Sequence, residues 1–153
     1  MKKVAIAIMA LVLALALTAC GGKKEETPPD TASANGITAK IVAVHKTTDS
    51  NGAPLAAVEI EMTNENSDPI AFMGNVQVQL FQSGKQMTAS NLYLDQNYDW
   101  DSQYAAIKDG ASISVFVPEP LEDDSPVEVT VQVLDVKTHK VAASATMEME
   151  LVA

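Results

Sequence analysis

Apolar and polar residues alternate along most of the chain from Ile37 onward, the pattern of strands with one buried and one solvated face. The clearest runs span 58–62, 76–80, 113–117, 127–133 and 141–151. Gly-containing turn pairs and prolines separate them, and no comparable window has helical spacing. We therefore predict an all-β domain, a two-sheet sandwich of about seven strands. Strand number and length make it immunoglobulin-like, although the Cys…Trp…Cys pattern of antibody domains is absent.

The N-terminus breaks this pattern. Lys2 and Lys3 precede an apolar run of 16 residues, 4–19. A membrane-spanning helix needs roughly 20 apolar residues, so the run is short for a permanent anchor and typical of a secretory signal.

The end of this run identifies the type of signal. Leu17, Thr18, Ala19 and Cys20 resemble the lipobox of lipoprotein signal peptidase, a branched apolar residue, two small residues and a cysteine. The resemblance implies a diacylglyceryl group on the Cys20 thiol and cleavage that makes Cys20 the first mature residue. The alternatives are an ordinary cleaved signal or an uncleaved anchor. Two acyl chains anchor a protein stably where one is marginal.

The segment after the cysteine lacks large apolar side chains. Residues 21–35 read GGKKEETPPDTASAN, a composition that favours a flexible tether with a reach of about 20 Å. The predicted organisation is a signal peptide over 1–19, a lipidated cysteine and linker over 20–35, and one domain over 36–153. We expect a protein held at the cell membrane by its lipid and facing outside the cytoplasm.

Charge and cysteine content narrow the partners and cofactors. Without Lys2 and Lys3, 8 lysines stand against 20 acidic residues, a net charge of −12, and the chain has no arginine. Nucleic-acid binding needs a basic surface, so that class is excluded. Cys20 is the only cysteine, so the domain forms no disulfide and no thiolate site. We expect no cofactor apart from the covalent lipid.

The chain offers little for catalysis. His45 and His139 are the only histidines, and each stands beside a lysine at an expected exposed strand end. Neither has a nucleophile signature or zinc spacing nearby. The acidic run 122–124 lies between prolines and is typical of a solvated turn. We expect the domain not to be an enzyme.

One segment, 91–104, is unusual. It contains all three tyrosines and the only tryptophan: Tyr93, Tyr98, Trp100 and Tyr104. These rings either cap the sandwich core or form a loop that faces a protein or glycan partner, since Tyr and Trp are enriched at binding sites.

The same segment carries a weak calcium motif. Acidic and amide side chains alternate at Asp95, Asn97, Asp99 and Asp101. An EF-hand loop would need Gly where Trp100 stands and a bidentate Glu where Ala106 stands. Only a looser calcium site is compatible with these residues.

Residues 58–134 resemble the uncharacterised immunoglobulin-like lipoprotein domains of Gram-positive bacteria, which are related in fold to secreted immunoprotective antigens. The matching stretches are VEIEMTNENSDPIAF (58–72), VQVQLFQSGKQM (76–87), IKDGASISVFV (107–117) and LEDDSPVEVTV (121–131). The resemblance implies an extracytoplasmic β-sandwich and brings no catalytic residues.

Two functional hypotheses follow. The first is a non-enzymatic binding or interaction module that a lipid holds at the membrane. The second is a structural or antigenic spacer, or an accessory subunit of an envelope complex.

The lipobox generates the first prediction. Substituting Cys20→Ala removes the only thiol that can accept the lipid, so the protein should leave the membrane fraction and lose lipoprotein-type cleavage. Phase partitioning and metabolic labelling with a fatty acid measure both effects. A mutant that partitions into detergent like wild type contradicts the lipobox interpretation.

Overall fold

The computed structural model describes residues 27–88 and 98–153. They form nine strands, β1 (Thr31–Ala34), β2 (Ile37–Thr48), β3 (Pro54–Asn64), β4 (Val76–Gln82), β5 (Lys85–Gln86), β6 (Ser112–Pro120), β7 (Val127–Leu134), β8 (Val141–Met149) and β9 (Leu151–Val152), and one 3₁₀ helix, Trp100–Tyr104. The predicted signal peptide and Cys20 lie outside the described residues. Within them, no helix has the length and apolar content to cross a bilayer.

The strands form two sheets. The five-stranded sheet has the order β1-β2-β3-β6, with β9 also paired to β2, and the four-stranded sheet has the order β5-β4-β7-β8. Every pair is antiparallel except β2–β9. The all-β sandwich prediction is confirmed and is consistent with an immunoglobulin-like arrangement. The extra strands, β5 and β9, have two residues each, too few to show alternation in the sequence.

The core lies between the sheets and uses the residues that alternation predicted. The inward positions of β3 are Val58, Ile60 and Met62, and all three are fully buried. Alternate valines of β7, from Val127 to Val133, belong to the same core and are fully buried as well. Each such side chain contributes about 1.5–3 kcal/mol on burial, so this core is the main stabilising element.

Strand β1 corrects the predicted domain boundary. Its residues 31–34 fall within the linker assigned to 20–35, yet they pair with β2. Ala32 is 1% exposed and belongs to the core cluster. The sequence TASA has no large apolar side chain, so its burial leaves no hydrophobic signal. The folded domain therefore includes Thr31.

Two hairpins turn through a two-residue loop with positive φ at both positions. Asn35 and Gly36 have φ of 54° and 70°, and Ser83 and Gly84 have 51° and 77°. This conformation is that of type I′ turns, whose twist matches that of the flanking strands.

The acidic turn predicted at 122–124 is exposed, as expected, and a buried side chain organises it. The Gln82 amide donates to the carbonyl oxygens of Asp123 and Ser125 and accepts from the backbone N–H of Glu122. The Ser125 hydroxyl and backbone N–H both donate to Asp123, which lowers the pKa of that carboxyl.

The second prediction tests the core. Val131→Asp places an unpaired carboxylate between the sheets, a cost of several kcal/mol that exceeds or approaches the whole stability of a typical domain. The control is Thr130→Asp, because Thr130 lies on the outer face of the same strand and hydrogen-bonds Thr146 at the surface. Circular dichroism and urea unfolding should show a folded control and an unfolded Val131→Asp. A cooperative β-type transition in Val131→Asp would contradict this core.

Candidate functional site

The outer face of the five-stranded sheet is covered in part, although the sequence suggests that it is solvated. Leu55 and Ala57 alternate with the inward residues of β3 and therefore point away from the core. Both are nevertheless fully buried, and neither belongs to the core cluster. Trp100 has the same status, buried and outside that cluster. A second, smaller apolar cluster thus lies on this outer face.

An aromatic group covers this face. The Tyr98 ring centroid lies 5.0 Å from that of Phe116, 5.3 Å from that of Trp100 and 5.8 Å from that of His45. Phe116 belongs to β6 and His45 to β2, so Tyr98 spans the sheet above β3. The rings are tilted at 39–52°, within the geometries that aromatic pairs prefer. We call Tyr98, Trp100 and Phe116 the aromatic cover.

Backbone hydrogen bonds hold the 3₁₀ helix at this face. The Ser102 hydroxyl and backbone N–H both donate to the carbonyl oxygen of Asp99. The Met73 N–H donates to the carbonyl oxygen of Gln103 at 2.9 Å, and Ile70 and Ile107 form an isolated bridge. The C-terminal end of the helix and the residues that follow it are therefore attached to the connection between β3 and β4.

A polar group lies at the edge of the aromatic cover. His45 Nε2 is 3.1 Å from Glu59 Oε2, and the Ser114 hydroxyl donates to Glu59 Oε1 at 2.8 Å. The carboxylate therefore stands between the serine and the imidazole. In a hydrolytic triad the imidazole stands in the centre and accepts the serine proton. This order orients three side chains but does not activate Ser114 through His45.

The structure corrects the expectation for His45. It lies within β2, its side chain is about three-quarters buried, and it contacts Tyr98 and Glu59. His139 is exposed in the turn between β7 and β8, as predicted. Sequence reasoning did not identify Glu59, Ser114 or Phe116 as site residues, because only the pairing of β3 with β6 brings them beside His45.

The predicted partner-binding residues have different positions. Tyr93 lies outside the described residues. Trp100 is 8% exposed, so its ring is not available to a partner, which corrects that expectation. It also lies outside the core between the sheets, so it does not cap that core. Tyr104 is 63% exposed, so its ring faces solvent.

The calcium hypothesis receives no support from the described part of the chain. Asp99 and Asp101 are exposed, and Asp95 and Asn97 lie outside the described residues. Among residues 27–88 and 98–153, no three His, Cys, Asp or Glu side chains come close enough to hold a metal ion. The four-residue site remains a prediction.

The third prediction concerns the aromatic cover. Trp100→Ala should lower the free energy of unfolding by about 3–5 kcal/mol, as for other large-to-small changes at buried sites. Tyr104→Ala is the control and should cost under about 1 kcal/mol, because its ring is exposed. Trp100 is the only tryptophan, so wild-type emission should lie in the blue and shift to the red on unfolding. Red emission from the folded protein would contradict a buried Trp100.

Comparison with solved structures supports the fold. The first is "a putative lipoprotein" from Staphylococcus aureus subsp. aureus NCTC 8325, with 16% identity and a TM-score of 0.55 over 81% of this chain and 94% of that one. The second is "a putative lipoprotein (ycdA)" from Bacillus subtilis subsp. subtilis str. 168, with 16% identity and a TM-score of 0.52 over 79% of this chain and 38% of that one. The third is a protein from Enterococcus faecalis, with 20% identity and a TM-score of 0.52 over 80% of this chain and 90% of that one. At these identities the likeness concerns the fold alone.

Sequence comparison identifies a family. No curated protein matches the chain. Residues 22–133 match the model of a domain of unknown function, DUF5067, and this range includes strands β1 to β6, β7 up to Val133 and the aromatic cover. The chain therefore belongs to the DUF5067 family, and its structural neighbours include proteins named as lipoproteins from Gram-positive bacteria.

Proposed function

We propose that this protein is a membrane-anchored lipoprotein whose β-sandwich serves as a non-enzymatic binding module outside the cytoplasm. The observation that carries the proposal is the exposure of Tyr104 at the end of a 3₁₀ helix that backbone hydrogen bonds attach to the connection between β3 and β4. Tyrosine is enriched among residues that dominate binding energy. An aromatic residue on a fixed segment loses little conformational entropy when a partner binds.

Met73 extends this surface. Its side chain is 48% exposed, and its N–H bonds to the carbonyl oxygen of Gln103, the residue before Tyr104. Two large apolar side chains are thus exposed on neighbouring backbone segments. We call Tyr104 and Met73 the contact surface. Methionine adapts its shape to different partners, so the pair suits a protein or glycan surface.

The lipobox supports the membrane anchor, since Leu17 to Cys20 have the residue types of a lipoprotein cleavage site. The names of two structural neighbours agree with this assignment. The position of the Glu59 carboxylate between Ser114 and His45 supports a role without catalysis, because it leaves the hydroxyl without an imidazole base.

The fourth prediction tests the contact surface in intact envelopes. A photo-crosslinking residue in place of Tyr104 should form discrete adducts with one or a few envelope components. The matched control carries the same residue at Val141, which is 50% exposed on β8 in the other sheet. Adding Met73→Ala to the Tyr104 variant should reduce the adduct yield, because the partner loses a neighbouring apolar contact.

Equal adducts from positions 104 and 141 would reject the contact surface. Adducts from neither position would favour the alternative of a structural or antigenic spacer.

A further inference from the structure

The chain contains two Asn-Gly pairs, Asn35-Gly36 and Asn51-Gly52. Both lie in turns between consecutive strands, the first between β1 and β2 and the second between β2 and β3. Glycine has no Cβ to hinder its backbone nitrogen, so in such a pair this nitrogen can attack the side-chain amide of the asparagine. The two turns differ in how far their structures permit this reaction.

The first pair is held in place by Asn66. The side-chain amide of Asn66 donates to the carbonyl oxygens of Asn35 and Gly36, at 3.1 and 3.2 Å. The Glu65 N–H donates to the same Gly36 carbonyl at 2.7 Å. A Cβ placed on Gly36 would lie 2.8 Å from Asn66 Oδ1, so the amide packs directly against the glycine. The peptide unit that carries the Gly36 nitrogen therefore cannot rotate toward the Asn35 side chain without losing these contacts.

The second pair is open. Asn51 and Gly52 are exposed, and no atom beyond the chain neighbours would lie within 4 Å of a Cβ on Gly52. Within the described part of the chain, no group donates to the Asn51 carbonyl or bonds to its side-chain amide. The Gly52 N–H donates to the Asp49 carbonyl at 2.9 Å. Opening that hydrogen bond frees the Gly52 nitrogen for attack.

The Asp49 carboxylate opposes this opening. Asp49 is 9% exposed, and its Oδ1 accepts from the N–H groups of Asn51 and Ala53, both at 2.8 Å. These bonds close the loop around Gly52 and place a negative charge near its nitrogen. The nitrogen attacks after losing its proton, and a nearby negative charge disfavours that anionic form. We therefore expect Asp49 to slow the reaction of Asn51 without preventing it.

We propose that Asn51 is a site of spontaneous covalent modification, at which the Gly52 nitrogen converts the asparagine to an acid while Asn35 stays intact. The nitrogen attacks Asn51 Cγ to form a cyclic imide, and Nδ2 leaves as ammonia with the proton from Gly52. Water then opens the imide. Cleavage of the new N–Cγ bond gives aspartate, and cleavage of the original peptide bond gives isoaspartate, whose main chain runs through Cγ.

Both products alter the turn. Either acid adds a negative charge near the Asp49 carboxylate, and like charges repel. Isoaspartate also lengthens the main chain by one methylene group, which displaces the N–H groups that Asp49 binds. The modified turn between β2 and β3 should therefore be looser, with both sheets intact because the turn lies outside the core.

The fifth prediction uses the full-length protein, incubated in neutral buffer and then analysed by peptide mapping with mass spectrometry, with an unincubated sample as the reference. Asn51 should convert to acid at least about tenfold faster than Asn35, because an exposed turn opens locally more easily than a packed one. Aspartate and isoaspartate should both form at position 51. The rate should rise at alkaline pH, which deprotonates the Gly52 nitrogen. Conversion of Asn51 that is no faster than that of Asn35 would overturn the proposal.

Substitutions test the structural basis of this selectivity. Asn66→Ala removes the contact over Gly36, so it should accelerate conversion of Asn35 and leave the rate at Asn51 unchanged. Asp49→Asn keeps an acceptor oxygen but removes the charge, so it should accelerate conversion of Asn51 alone. Asn51→Gln is the control for the chemistry, because its longer side chain forms the imide far more slowly, and it should abolish most new acid in this turn.

Circular dichroism establishes that each variant is folded before the rates are compared. A folded Asn66→Ala protein in which Asn35 reacts no faster than in wild type would show that packing does not protect this pair, and the proposed selectivity would be rejected. Equal formation of acid in Asn51→Gln and wild type would place the reaction at another residue and overturn the proposal as well.

Discussion

Strand β3 is buried on both faces over residues 55–58, and the rest of the structure depends on covering both faces there. Its inner residues, among them Ile60, belong to the core between the sheets, whereas Leu55 and Ala57 face the other way and are equally buried. The chain has a single cysteine and therefore no internal disulfide to supplement this burial. A central strand in an antiparallel sheet commonly has one wet face. Here the outer face requires a cover, and the aromatic segment provides it.

This requirement links stability to the proposed binding surface. Trp100 and Tyr98 are used in covering the sheet, and their packing holds the 3₁₀ helix that exposes Tyr104. The buried Trp100 thus stabilises the fold, whereas Tyr104, four residues later, is exposed and forms part of the proposed contact surface. The Ser114–Glu59–His45 group lies at the edge of this cover, and its hydrogen bonds reduce the cost of partly burying Glu59 and His45.

The four-stranded sheet has few charged residues on its outer face. Its outer face is mostly uncharged, with glutamine, serine and threonine in cross-strand rows, and the Thr130–Thr146 hydrogen bond is of the kind that stabilises such a face. Glu128 and Glu148 depart from that pattern by facing each other. Lys46 and Lys85 both pair with the acidic turn at 122–124, although that turn is at the surface. Six lysines in the described residues cannot neutralise every carboxylate of a chain this acidic, so some acidic pairs have no described partner.

The sequence by itself determined the class of fold and the main core. Alternation of valine with polar residues specifies which face of β7 is buried, because a strand has a side-chain period of two and a shift of one residue would bury its glutamate and glutamine. The turn at Asn35-Gly36 has the residue pair that a type I′ turn favours, because both residues tolerate positive φ. Local chemistry was sufficient for these features. It was insufficient for β1, whose small side chains are buried only because β2 pairs with them.

Tertiary structure alone decided the sites. His45, Glu59 and Ser114 are far apart in sequence and meet through the register of β2, β3 and β6. Whether Trp100 faces solvent, the inner core or the outer face of the sheet depends on where the 3₁₀ helix packs. The order of apolar and polar residues in its own segment does not predict that position. Phe81, Glu128 and Glu148 likewise become neighbours through the pairing of three strands. A strand's own sequence specifies which side chains share a face, whereas its neighbours and their register specify which side chains from other strands join them.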